Sequence, residues 1–87
     1  MRTVHKFRLS RLDMDEQKAN LPLSAKVLHF GMQEDDFVIW VDTDTEAPTK
    51  QRRFFVVGTG HPIPGRATYC GTVMDGPFVW HLFEGKF

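Results

Sequence analysis

The stretch Gly58-Thr59-Gly60-His61-Pro62-Ile63-Pro64-Gly65 gathers the residue types from which this chain can build a binding site. Glycines at 58 and 60 allow successive backbone N–H groups to point into one concavity, a nest suited to phosphate or carboxylate. Thr59 adds a hydroxyl, and His61 a donor that becomes charged at mildly acidic pH. Arg66, or the Arg52-Arg53 pair, would supply the counter-charge. The stretch is not a P-loop, because no Gly-Lys-Ser/Thr ends it and no helix pattern follows. Nor is it a dinucleotide fingerprint, since Ile63 stands where the third glycine belongs. The competing reading is a tight connection between strands, which a segment this rich in Gly and Pro also satisfies.

Other chemistry is thinner. His5, His29, His61 and His81 lie on four different segments with no His-x-His or His-x-x-x-His pair. A three-histidine metal site needs imidazoles converging at about 2 Å from one ion, which such spacing neither supports nor forbids. Cys70 sits in a strand-like run beside Tyr69, where a small buried thiol is ordinary and an activated nucleophile is not expected. Ser10 and Ser24 occupy no nucleophile elbow. The Asp42-Thr43-Asp44-Thr45-Glu46 run lacks the glycine and the distal Glu of a calcium loop. No catalytic residue, metal or cofactor is therefore assigned. Trp80 and Tyr69 are the aromatics placed to stack on a base or sugar if they are exposed.

The elements that must position these residues read as strands. Thr3 to Leu9 alternates, with Thr3, His5, Phe7 and Leu9 on one parity. Arg11 to Asn20 is polar, and reads as a loop leading into an edge strand near Lys18 to Leu23. Lys26 to Met32 and Phe37 to Val41, linked by Gln33 to Asp36, form a hairpin pattern. The second of these is an unbroken apolar run suited to a strand buried on both faces. Asp42 to Lys50 reads as a nine-residue loop, and Gln51 to Gly58 as the next central strand. Thr68 to Met74 and Phe78 to Glu84 follow, joined at Asp75-Gly76, a strong hairpin signal. Gly71 in mid-strand marks a bulge or a close backbone approach. The expected fold is all-β: one domain over residues 1–87, a small antiparallel sandwich or partly closed barrel of six to seven strands.

Composition narrows the partners. Eleven Lys and Arg balance eleven Asp and Glu, giving a formal net charge of zero. Neither the basic excess of a nucleic-acid binder nor the acidic excess of a DNA mimic is visible. A single cysteine excludes an intramolecular disulfide, which fits a reducing compartment better than secretion. Met1 to Leu12 lacks a signal peptide's apolar run, and no stretch approaches the roughly 18 apolar residues of a membrane helix. The expectation is a soluble, cytoplasmic protein that spans no membrane. Consecutive Phe54-Phe55 and the Phe37 to Val41 run place apolar groups on both sheet faces. Either the monomer covers both, or a second subunit does, so a homo-oligomer stands beside a monomer as an alternative.

Several motifs carry a family resemblance over nearly the whole chain. Met1-Arg2-Thr3-Val4-His5-Lys6-Phe7, Pro22-Leu23-Ser24-Ala25-Lys26-Val27-Leu28, Gly58-Thr59-Gly60-His61-Pro62-Ile63, Tyr69-Cys70-Gly71-Thr72 and Phe78 to Glu84 resemble an uncharacterised family of short bacteriophage and prophage proteins. The charged Arg11 to Asn20 connection is longer than that pattern. The resemblance transfers no activity. It implies a host-facing role in the host cytoplasm, of the kind that blocks a defence protein or sequesters a nucleotide signal. Two expectations follow. One is a non-enzymatic protein that captures a small phosphorylated ligand through Gly58, Thr59, Gly60 and His61, with Arg52, Arg53 or Arg66 neutralising it and Tyr69 or Trp80 stacking. The other is a protein-interaction inhibitor of a host complex, or a virion assembly component.

Overall fold

The computed structural model describes residues 1–11 and 14–86. Seven strands follow in order: β1 Arg2–Leu9, β2 Gln17–Pro22, β3 Lys26–Gln33, β4 Asp36–Asp44, β5 Thr49–Gly58, β6 Thr68–Asp75 and β7 Phe78–Glu84. All pairings are antiparallel. They form a three-stranded sheet, β1-β4-β3, and a four-stranded sheet, β2-β5-β7-β6. The sheets stack without closing into a barrel, so of the two expected architectures the sandwich is the one formed.

Alternation dictates the core. Leu9, Phe30, Phe37, Ile39 and Val41 from one sheet meet Leu21, Phe54, Val56 and Leu82 from the other in one buried cluster. Six of these nine are fully excluded from solvent. Each such side chain contributes roughly 1.5–3 kcal/mol by burial. At one margin of the sandwich β6 comes against β3. A Cβ on Gly71 would lie 2.9 Å from Phe30 Cβ, and the β6–β7 register shifts between Tyr69 and Gly71. The mid-strand glycine therefore marks both a bulge and a close approach.

Two connections differ most from the sequence reading. The expected nine-residue loop at Asp42 to Lys50 shrinks to four residues, because Asp42, Thr43 and Asp44 continue β4 opposite Val4, Thr3 and Arg2, and Thr49 and Lys50 begin β5 opposite Pro22 and Leu21. Thr43 is buried and Asp42 accepts a hydrogen bond from Arg2 Nε at 2.8 Å, so polar residues are satisfied within the ladder. The β6–β7 hairpin turns on Gly76-Pro77, with Asp75 still paired to Phe78. Gly76 takes φ +57° at the first central position, the type II′ arrangement, and Pro77 cannot adopt positive φ at the second.

The connection that positions the site is the one from β5 to β6. These strands run parallel, with β7 between them. Residues 59–67 must therefore travel back along the sheet from the Gly58 end to the Thr68 end. They do so across the outer face as a strap, with His61, Pro62 and Pro64 sharing the walls of a hollow with Phe55 and Val57. Those two side chains alternate with the core residues of β5 yet are only 6% and 8% exposed. The consecutive apolar pairs of β5 are thus covered within one chain.

Candidate functional site

The strap begins with a tight turn. His61 N–H donates to the Gly58 carbonyl at 3.0 Å, and Gly60 takes φ +91° at the third turn position, as a type II turn requires. Thr59 N–H donates to Val79 O at 3.2 Å. A Cβ on Gly58 would stand 3.1 Å from His61 Nδ1 and 3.2 Å from the Trp80 ring, so a side chain here would press on both rings. The turn thus consumes two of the amides expected to line a nest. Anion-binding capacity in this region rests on side chains.

On one side of the strap lies a chain of hydroxyls and one imidazole. Thr59 Oγ1 is 2.8 Å from His81 Nε2, His81 Nδ1 is 3.0 Å from Thr72 Oγ1, and Thr72 Oγ1 is 2.7 Å from the Tyr69 hydroxyl. Strand pairing makes this chain: Val57, His81 and Thr72 share one rung, while Phe55, Phe83 and Tyr69 share the next. A depression of about 230 Å³ opens above it, walled by Val57, Thr59, His61, Ile63, His81 and Phe83. Tyr69 is 58% exposed and meets the Phe83 ring edge-on at 5.8 Å.

On the other side, where the strap rejoins the sheet, a cleft of about 330 Å³ holds three cations: Arg53, Arg66 and Lys86. Its walls are Phe55, Pro64, Gly65 and Gly85. The Arg53 guanidinium lies over the Phe55 ring at 5.4 Å, donates to Lys86 O at 3.2 Å and meets Glu16 at 3.2 Å. Gly85 N–H donates to Arg53 O at 2.9 Å, extending the ladder by one rung. A Cβ there would strike the Phe55 ring at 2.8 Å. Arg66 holds φ +61°, a conformation that is uncommon for a residue with a Cβ. Lys86 had no motif to announce it in the sequence.

The expected residues are therefore only partly brought together. Thr59, Gly60 and His61 share one depression, with Tyr69 beside it; Arg53 and Arg66 share the neighbouring cleft. Arg52 points to the opposite face of β5, where it is 6% exposed and sets two N–H groups on the Glu84 carboxylate at 2.6 and 2.8 Å. Its Nη1 also donates to Pro22 O at 2.8 Å and Ala25 O at 2.7 Å. The hydrogen bond to Glu84, ahead of the opposing cost of burial, raises its already high pKa. Trp80 lies edge-on to Phe37 at 6.0 Å and stacked on Phe78 at 5.9 Å, and it lines with Gly58, Thr59 and His61 a further hollow of about 390 Å³. Among the described residues its buried indole N–H has no hydrogen-bond partner.

The remaining candidates disperse. His5 lies near Phe7 and His29 against Trp40, both on the three-stranded sheet, so only His61 and His81 face a common space. Among the described residues no group of three or more His, Cys, Asp or Glu is placed to hold a metal ion. Burial, then the nearby Glu84 charge, pushes the Cys70 thiol up to about 11, which keeps it protonated at neutral pH. At the β6–β7 tip, Met74 and Phe78 are 76% and 59% exposed.

Fold and site together define a small two-sheet β-sandwich whose four-stranded face carries a strap between an aromatic, hydroxyl-lined depression and a basic cleft. The chain belongs to a family described as a domain of unknown function, DUF7352, which matches residues 1–87. Comparison with curated proteins and with solved structures finds no match.

Proposed function

We propose that the protein is a non-enzymatic binding protein that captures a small phosphorylated ligand where the strap rejoins the four-stranded sheet. The observation that carries this reading is the convergence of Arg53, Arg66 and Lys86 on one cleft whose walls, among the described residues, include no carboxylate. Phosphate oxygens accept charge-assisted hydrogen bonds from guanidinium and ammonium groups, each worth about 1.5–3 kcal/mol when well formed. Arg53 is already oriented by Phe55 and the Lys86 carbonyl, which lowers the ordering cost of binding. We propose further that this capture acts in a phage setting, in the host cytoplasm and against a nucleotide-signalled defence, a reading that draws on the family resemblance alone.

Thermal denaturation with inorganic phosphate, pyrophosphate and a nucleotide panel tests the reading. Ligand at ten times its Kd should stabilise by about 1.4 kcal/mol, roughly 5 °C or more for a domain this size. Absence of any shift at millimolar concentrations, or an equal shift in Arg66→Ala, would sink it. A second reading, protein-interaction inhibitor or virion assembly component, draws on the exposed Met74 and Phe78 at the β6–β7 tip. A stoichiometric protein partner lost on Phe78→Ser, with no nucleotide response, would favour it.

A further inference from the structure

We infer that the phosphorylated ligand is a nucleoside monophosphate whose base enters the depression between Ile63 and the Tyr69–Phe83 rings; this rests on the reading of the basic cleft given above. The two hollows lie on one face of the four-stranded sheet, on either side of the strap. Phe55 walls the cleft, Phe83 walls the depression, and the two are direct cross-strand partners. The Arg53–Gly85 rung lies below that pair and the Val57–His81 rung above it, each about 7 Å away along the strands. A phosphate held at the lower rung therefore leaves one sugar's length to the Phe55–Phe83 rung, where Phe83 begins the wall of the depression.

What waits there has the chemistry of a base site. Ile63 and Tyr69 are both more than half exposed, Phe83 presents a half-buried ring, and the volume of about 230 Å³ suits a small planar ring system rather than a larger ligand. The walls are apolar, yet Thr59 and His81 form part of the lining and continue into Thr72 and Tyr69. Hydroxyls donate and accept, and the roles of the two His81 ring nitrogens exchange with tautomer, so the chain can reverse its hydrogen-bond direction to meet either polarity of base edge. Selection then comes from the planar face more than from the edge. The expected spread among the four bases is below about tenfold.

Titration of the ¹⁵N-labelled protein with AMP, GMP, CMP and UMP, against ribose 5-phosphate and inorganic phosphate, tests this. The nucleoside monophosphates should bind about tenfold tighter than ribose 5-phosphate, the increment of one stacked base. They should shift amides of residues 59–63 and 81–83 as well as 65–66 and 85–86, whereas ribose 5-phosphate should shift only the latter group. Ile63→Ser and Tyr69→Ala alter exposed side chains and should abolish the base increment while leaving ribose 5-phosphate binding unchanged. Equal affinity for ribose 5-phosphate and the nucleotides, or shifts confined to the cleft, overturns the base site and leaves phosphate capture standing. Absence of binding by every probe removes both.

Discussion

Arg52 and Arg53 are chemically identical neighbours on β5, and the structure gives them opposite work. Arg52 faces inward, its guanidinium filled by Glu84 and two carbonyls, and it closes the end of the core between β2 and β7. Arg53 faces outward, lies half exposed over Phe55, and borders a cleft with Arg66 and Lys86. The period-2 alternation of a strand assigns one charge to architecture and the next to the surface that can meet a ligand. Chemistry of the side chain alone does not separate them; the face does.

The largest effect expected from breaking this contrast is at Arg52. Arg52→Met would leave the partly buried Glu84 carboxylate and two carbonyls without their donor, at a cost of about 3 kcal/mol in urea denaturation. Adding Glu84→Met should return much of that, because the stranded charge disappears. Recovery of nothing by the double variant would show that Arg52 acts chiefly through packing.

Next is the margin where the sheets meet. Gly71→Ala forces a methyl onto Phe30 Cβ, both rigidly attached to backbone, and should cost about 1–3 kcal/mol by thermal denaturation. On the outward side the expected stability changes are small and the binding changes are not. Arg66→Gly releases a left-handed conformation and should change stability by at most about 1 kcal/mol, while phosphate affinity falls by about tenfold in calorimetric titration. Glu16→Gln frees Arg53 from an exposed carboxylate, with a stability change under about 1 kcal/mol and a modest gain in anion affinity.

Cys70 supplies the pH test. Its folded pKa of about 11 lies above the ordinary 9.0, so the neutral thiol is the form the fold favours. The stability that this contributes is present below pH 9 and is lost as pH rises toward 11. Alkylation by iodoacetamide should stay slow through pH 8 and accelerate toward pH 11. Rapid labelling at pH 7 would show that the thiol is not held in its buried, protonated state.

The strands were largely legible because alternation and turn residues report local geometry: Phe78 to Glu84 matches β7, and Gly71 marked its own bulge. The polar end of β4 was not, since Asp42 and Asp44 look like loop residues until Arg2 and Thr3 are known to lie opposite. The site was half legible. Gly58 to Arg66 stood out by composition, but the division of Arg52 from Arg53 depends on which face of β5 meets the core. The His81–Thr72–Tyr69 chain depends on a register shift one residue wide, and Lys86 joins the cleft only because Gly85 extends the ladder. Those are facts of long-range pairing, invisible to spacing along the chain.

The crossover of the strap also orders events in time. In the four-stranded sheet, β6 has one hydrogen-bonding neighbour, β7, which is the last strand of the seven. Until β7 inserts, β6 has no sheet partner, Phe54 and Val56 lack Leu82 beside them, and Arg52 has no Glu84. Assembly of this half of the molecule therefore waits on a strand made after all its partners. A nascent chain that ends before Phe78 carries an exposed apolar β5 whose outer neighbour does not yet exist, a species open to wrong pairing and to chaperone capture.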